Sequence, residues 1–405
     1  MTEIWALAAL WLGLALLAAL LSIWLKVANA LSEILVGTAA QLVLGAAFGA
    51  AFLGADQAWI KFLAGAGAIV LTFLAGAELD PEVFRRKWKE ATAVGLISFF
   101  APFFGCAAAA RWWLGWDVEA SWLAGVAMST TSVAVVYAVM IEFGFNATDY
   151  GKTVLAACFI TDLGTVIALG LIFAPFTLRT ALFVGGLGCA ALALPWLTPR
   201  FFRRFGGRPS ELETKFLLLF LFGLGALAGW ADSEAVLPAY VLGMMLAGTV
   251  GKDHLLVRRL RTLTFGLLTP FYFIRAGSFV SVPALIVAPA AFLLMLTVKV
   301  VTKIAGVYPV TQAFRSPRKE GMYTTLLMST GLTFGTISSL FGLSHGIVTQ
   351  GQYSALVAAV IASAVVPTLI ANIWFLPHHL LPKADEPDAG QAVSGQSSAS
   401  QVPRS

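Results

Sequence analysis

The chain has 405 residues, of which 59% are hydrophobic and 12% charged, and its formal net charge is +5. A single water-soluble core has no room for that much apolar surface, so composition excludes a soluble globular protein. The positive excess is concentrated in a few short loops and calls for no nucleic-acid partner.

Thirteen mainly apolar segments recur between Ile4 and Phe375. Each is near the length of about 20 residues that crosses a hydrocarbon core. They fall at 4–26, 31–53, 59–78, 91–113, 119–143, 150–174, 179–198, 213–231, 233–250, 263–281, 283–306, 321–343 and 352–377. Polar residues or proline interrupt the fifth, tenth and twelfth. The pattern predicts an all-α polytopic membrane protein of about 13 transmembrane helices. The first segment lacks a basic head and a small-residue cleavage site, so it reads as a retained helix. Loops after odd-numbered segments carry Arg85, Arg86, Lys87 and Lys89, then Arg200, Arg203, Arg204 and Arg208, then Lys252, Arg258, Arg259 and Arg261, then Arg315, Arg318 and Lys319. Those after even-numbered segments carry little more than Lys61, Arg111 and Arg179. Positive loops stay cytoplasmic, which places the N-terminus outside and the C-terminus inside, in the cytoplasmic (inner) membrane. Residues 1–383 form the membrane domain; 384–405, rich in Ala, Gly, Ser, Gln and Asp, read as a disordered cytoplasmic tail. Cys106, Cys158 and Cys189 fall inside apolar segments and offer neither a disulfide framework nor a metal site.

Within the fifth segment, Ser129, Thr130, Thr131 and Ser132 stand where a plain span has Leu, and the twelfth repeats the feature with Ser329, Thr330, Gly331 and Thr333. Met128-Ser129-Thr130 recurs as Met328-Ser329-Thr330, and at the same offset of 200 Gly151 matches Gly351 and Val166 matches Val366. The two segments are an odd number of crossings apart and enter the membrane from opposite sides. That is the pattern of an inverted repeat with broken crossing helices, which sets a substrate site near the midplane. Ordinary small-residue helix packing is the competing reading.

Charges this deep need a partner or a purpose. Asp162 lies about twelve residues into the sixth segment, roughly 18 Å along a helix at the usual rise, near the bilayer centre. A poorly hydrated carboxylate there exchanges a proton near neutral pH, and when ionised is a hard oxygen ligand for a small cation. Neighbouring hydroxyls and unwound carbonyls would complete the shell. Lys299 and Lys303 share one face of the eleventh segment. Lys299 is the deeper and the preferred countercharge, whereas Lys303, one turn nearer the Arg315 loop, is placed to snorkel toward the cytoplasm. Arg275, in the tenth segment, reads equally as a countercharge or as a structural pair. Glu78 and Glu142 sit near segment ends and read as structural; Glu33 is open. His254, His345, His378 and His379 form no metal-ligand spacing, and no phosphate loop or nucleophile elbow is present, so neither an enzyme nor a cofactor is expected.

From Ile4 to about Phe375 the chain resembles the Kef and Nap branches of the monovalent cation:proton antiporters. Phe73-Leu74-Ala75-Gly76-Ala77-Glu78-Leu79-Asp80 with Arg85-Arg86 is similar to that family's Gly-Leu-Glu-Leu helix end and basic loop. Ser129 to Ser132 is similar to its unwound crossing helix. Thr161-Asp162 stands at its cation-binding pair, and Lys299-Val300-Val301-Thr302-Lys303 resembles its lysine-bearing helix. The resemblance implies two inverted five-helix repeats, a core moving against a dimerisation domain, and a homodimer in the lipid bilayer. It makes Asp162 the carrier of either a proton or Na+ or K+, Thr161 and Thr130 its neighbours, and Lys299 or Lys303 its countercharge.

The departures have consequences of their own. Thr161 replaces a second acidic or amide residue, which favours electroneutral exchange on one carboxylate. Gly331-Leu332-Thr333 lacks an acidic residue common in relatives, and Arg275 stands where Kef-like chains are uncharged. No nucleotide-binding regulatory domain follows the membrane segments. The expectation is a secondary transporter exchanging Na+ or K+ for H+ by alternating access. The alternatives are an organic-anion or metabolite carrier built on Arg275, Lys299 and Lys303, and a cation channel.

Overall fold

The computed structural model describes residues 2–25, 29–49, 51–77, 81–145, 148–173, 177–231, 233, 235–287, 289–314 and 316–380. Glu78, Asp80, Arg315, the side chain of Glu142 and the segment 384–405 lie outside the described residues.

Regular structure among the described residues is helical throughout. In chain order come α1 (Thr2–Leu25), α2 (Asn29–Phe48), α3 (Ala58–Ala77) and α4 (Pro81–Trp112). Then come α5 (Val118–Ser129), α6 (Val133–Glu142), α7 (Asp149–Phe173), α8 (Leu178–Phe205), α9 (Leu212–Trp230) and α10 (Val236–Leu246). Next, α11 (His254–Leu263) runs through a π-helical turn (Thr264–Leu268) into α12 (Thr269–Ser278). The last are α13 (Val282–Val287), α14 (Pro289–Ala313), α15 (Arg318–Met328), α16 (Thr333–Ser344) and α17 (Gln350–Ile370), which a second π turn, Ala371–Phe375, prolongs. By length and composition, 10 helices among the described residues can cross a membrane, α15 and α16 counting as one. The pairs α5–α6 and α11–α12 are interrupted, and α10 is short.

Two boundaries differ from the sequence reading for clear reasons. α4 starts at Pro81 rather than 91, because the basic stretch continues the helix across a kink at Lys87 (φ −111°, ψ 19°). The basic run expected as a loop at Lys252–Arg261 is largely helical: Asp253 accepts the Leu256 N–H at 3.0 Å, and Leu256 and Leu260, one turn apart, bury a face that the charges had masked.

Burial separates the helices. Only 11% of the most apolar window of α8 is buried, against 89% across α15 and α16. A helix that is apolar all round and still exposed is lipid-facing, whereas α15 and α16 are central. The helices pack as two groups. One holds α1 to α3 and α8 to α12; the other holds α4 to α7 and α13 to α17. Their main helix-to-helix contact is α7 against α10. Inside the first group, α2 and α12 cross at glycines: a Cβ on Gly277 would overlap the Ile34 carbonyl, and one on Gly37 the Ile274 carbonyl.

Both expected breaks are present in the second group. Helix α5 stops at Ser129, Thr130 is extended (φ −61°, ψ 150°), and α6 resumes at Val133. Helix α15 stops at Met328, and α16 resumes at Thr333 after Leu332 at φ −153°, ψ −75°. The unwound stretches cross each other: the Ser132 N–H donates to Thr330 O at 3.0 Å, and the Thr131 hydroxyl to Met328 O at 2.8 Å.

Candidate cation and proton site

Unwinding a helix inside a bilayer frees backbone groups that water cannot reach. Short hydroxyl side chains satisfy them here. Ser129 Oγ donates to Val126 O at 2.8 Å, Thr130 Oγ1 to Ala127 O at 3.1 Å, Ser329 Oγ to Thr325 O at 2.8 Å and Thr330 Oγ1 to Leu327 O at 2.7 Å. This local bonding is why Ser and Thr recur at both breaks.

Asp162 faces the crossing from α7, 1% exposed. Its carboxyl takes a backbone hydrogen bond from Thr131, while Oδ1 has no partner among protein groups. The charges acting on it are Lys303 first and Lys299 second. Both lysines are fully buried. Lys303 Nζ donates to Ser98 Oγ at 2.7 Å, Ser129 O at 3.0 Å and Thr131 Oγ1 at 3.0 Å, so this side chain turns into the first break and does not snorkel. Lys299 Nζ donates to Ser363 Oγ at 3.0 Å and lies over Gly331, where a Cβ would overlap it. One amine thus serves each break.

The remaining predicted residues divide. Ser129 Oγ also pairs with Thr165 Oγ1 at 3.3 Å, linking α5 to α7. Thr130 approaches the second break, its Oγ1 being 2.9 Å from where a Gly331 Cβ would lie. Thr161 is buried beside Asp162, but its hydroxyl turns to Gly95 O on α4 and Ala157 O on its own helix, both at 3.1 Å. Arg275 does not join the cluster. Its Nε donates to Ala55 O at 2.8 Å, Nη2 is 3.5 Å from Asp56 Oδ1, and the guanidinium lies 4.9 Å from the Phe279 ring centroid. Its contacts in this structure are therefore with the loop before α3 and not with Asp162.

A cavity of about 190 Å³ reaches Asp162 between the two groups of helices, bordered by Leu71 and Leu74 of α3, Tyr137 of α6, Phe334 of α16, and Arg261 and Phe265. Among the described residues no three His, Cys, Asp or Glu side chains converge on a metal-sized point. A cation at Asp162 would have to take its other oxygens from hydroxyls, carbonyls and water. One buried carboxylate with an open oxygen, facing a broken-helix crossing and reached by a cavity, suits exchange of small cations rather than bond-making chemistry.

Comparison with known proteins agrees. The family described as sodium/hydrogen exchanger, transmembrane, matches residues 12–376. The chain belongs to the sodium/hydrogen exchanger family. It is therefore an integral membrane cation/proton antiporter, a transporter and not an enzyme. It is 24% identical over 343 residues to the probable Na(+)/H(+) antiporter 3 of Methanocaldococcus jannaschii, covering 81% of this chain and 87% of that one. It is 23% identical over 378 residues to cation/H(+) antiporter 18 of Arabidopsis thaliana, with coverage of 86% and 47%. With the glutathione-regulated potassium-efflux system protein KefC of Shigella flexneri it shares 24% identity over 362 residues, with coverage of 82% and 55%. The chain thus spans about half the length of the last two. The solved sodium proton antiporter MjNhaP1 of Methanocaldococcus jannaschii has the same fold, with a TM-score of 0.68, 16% identity, and coverage of 92% of this chain and 96% of that one.

Two residues bonded to the buried lysines, Ser98 and Ser363, escaped the sequence reading, and Gly331 entered it without its contact with Lys299. The two serines are lone hydroxyls at mid-depth in apolar runs, a faint signal. Their partners were out of reach, because depth can be read along one helix but facing cannot. Gly331 was noted for what it replaces; its contact with Lys299 emerges only in three dimensions.

Proposed function

We propose that the protein exchanges Na+ or K+ for H+ by alternating access, with Asp162 carrying either the proton or the cation. The observation that carries this reading is the Asp162 carboxyl, buried at the crossing with Oδ1 unpartnered beside a cavity. A proton on that oxygen prevents cation binding, and a bound cation prevents protonation, so one site couples two flows without a second gate.

Lys303 is the principal countercharge and Lys299 the second. With Asp162 protonated, Lys303 stays held by the Ser98, Ser129 and Thr131 oxygens. With Asp162 ionised, its charge stabilises the carboxylate until a cation arrives. The anion-carrier alternative needs Arg275 in the site, and the tie of Arg275 to Ala55 and Asp56 argues against it. Basic residues near Arg261 support a cytoplasmic assignment for the cavity mouth, which makes this conformation inward-facing with the N-terminus outside.

The test is dequenching of a pH-sensitive dye in proteoliposomes holding a proton gradient, with Na+, K+, Li+ or choline added in turn. One alkali cation, but not choline, should dissipate the gradient in the wild type, and none should do so in a folded Asp162→Asn variant. Wild-type rates in that variant would end the proposal.

A further inference from the structure

A turn that ends one helix and begins another leaves carbonyls and N–H groups without helical partners. At the α12–α13 junction two adjacent residues of α17 supply them. The Tyr353 hydroxyl, fully buried, donates to Ala276 O at 2.6 Å, and Ser354 Oγ accepts the Ser281 N–H at 2.8 Å. Arg275 O and Gly277 O are satisfied locally, by Ser278 Oγ and by the Thr38 hydroxyl of α2. Ala276 O is held from the other group of helices, as is Phe279 O, which the Gln350 side chain reaches at 3.5 Å.

The surroundings suggest why. Just beyond this bond, a cavity of about 480 Å³ is bordered by Gln41, Asp56, Gln57, Ser278, Phe279 and Gln350. It lies at the Gln350 end of α17, and Arg275 fixes its wall through Ala55 and Asp56. Tyr353 is one turn inward of Gln350. Ser363, which meets Lys299, is ten residues further, roughly 15 Å at the helical rise. The Arg261 cavity thus reaches Asp162, whereas the Gln350 vestibule ends short of Tyr353, which does not line it.

We propose that Tyr353, bonded to Ala276 O and seconded by Gln350 on Phe279 O, is the latch that shuts the Gln350 route while the Arg261 route is open. When the second group of helices moves, both bonds break, and water from the vestibule takes over the freed Ala276 and Phe279 carbonyls. The hydroxyl touches no transported ion; it is a positioning residue that biases which side the site faces. This inference rests on the alternating-access reading, and its test separates the two.

Replace the exposed Cys189 by Ser, install Val357→Cys one turn below Tyr353 as a reporter, and label oriented proteoliposomes from the Gln350 side with a membrane-impermeant thiol reagent. Loss of one buried hydrogen bond should raise the labelling rate roughly three- to tenfold in Tyr353→Phe. Gln350→Ala, which loses the bond to Phe279 O, should raise it in the same direction and provides a second arm if the first variant fails to fold. Unchanged labelling in folded variants, even with a lowered melting temperature, would show a purely structural hydroxyl and overturn the latch. Faster labelling in a protein that exchanges no cation would keep the latch and remove the antiport reading. Normal exchange with unchanged labelling would do the reverse.

Discussion

Asp162 and Lys303 are each costly to bury, and each carries a charge that acts on the other. The carboxyl has one oxygen unpartnered, while the amine is fully bonded to Ser98, Ser129 and Thr131. Removing the amine by Lys303→Met should lower stability by about 2–4 kcal/mol, as expected for breaking a buried charged network. Removing both charges should lower it by less than the two single changes added, because each single change strands the other charge. A double-mutant cycle of Lys303→Met and Asp162→Asn, followed by thermal unfolding in detergent, should therefore give a coupling of about 1 kcal/mol or more. Strict additivity would mean that the two charges do not act on each other. Much of this was legible beforehand: a lone Asp and two Lys deep in apolar runs announce themselves, since lipid makes their cost high. The ordering of the lysines was not, because the partner of Lys303 is a serine 205 positions away in the chain.

Helices meet through glycine in two physically different ways in this fold. At the α2–α12 crossing the atom that a Gly277 Cβ would strike is the Ile34 carbonyl oxygen, part of a helix backbone that cannot step aside. At the α15–α16 break the atom that a Gly331 Cβ would strike is Lys299 Nζ, the far end of a flexible side chain. Gly277→Ala should consequently destabilise the protein by about 1–3 kcal/mol through overpacking. Gly331→Ala should leave the melting temperature nearly unchanged and slow exchange by about tenfold, because it moves the amine off Ser363. Measuring both quantities on both variants checks the contrast, and a large melting loss in Gly331→Ala would refute it. The breaks themselves were readable from the Ser and Thr clusters, whose hydroxyls bond freed carbonyls in place. The basic helix α11 was not, because its two buried leucines are outnumbered by charges. Nor was the setting of Arg275, which is decided by the loop before α3.

Across the whole molecule, a cavity reaches Asp162 from the Arg261 side, a second cavity opens at the Gln350 end of α17, and Asp162 is the one carboxylate at the helix crossing among the described residues. That count of carboxylates bears on charge movement. If Asp162 alone carries, the proton-loaded and cation-loaded forms have equal net charge, so any charge moved in one crossing is returned in the other and the full cycle moves none. Glu33 and Glu213, the other buried acids among the described residues, stand apart from the crossing: Glu33 is bonded to Asn29 at 2.6 Å near the start of α2, and Glu213 accepts the Gly207 N–H at 2.7 Å near the start of α9. Exchange should therefore be electroneutral, proton for cation. A potential of about 100 mV is worth about 2.3 kcal/mol per charge moved, or roughly a 50-fold displacement of the equilibrium gradients for one net charge per cycle. With the potential clamped at zero and then at about 100 mV by an ionophore that the exchanger does not transport, the final cation gradient at fixed proton gradient should be the same. A displacement approaching 50-fold would mean that a second proton accompanies each cycle, and Lys299 or Lys303 would then have to release it.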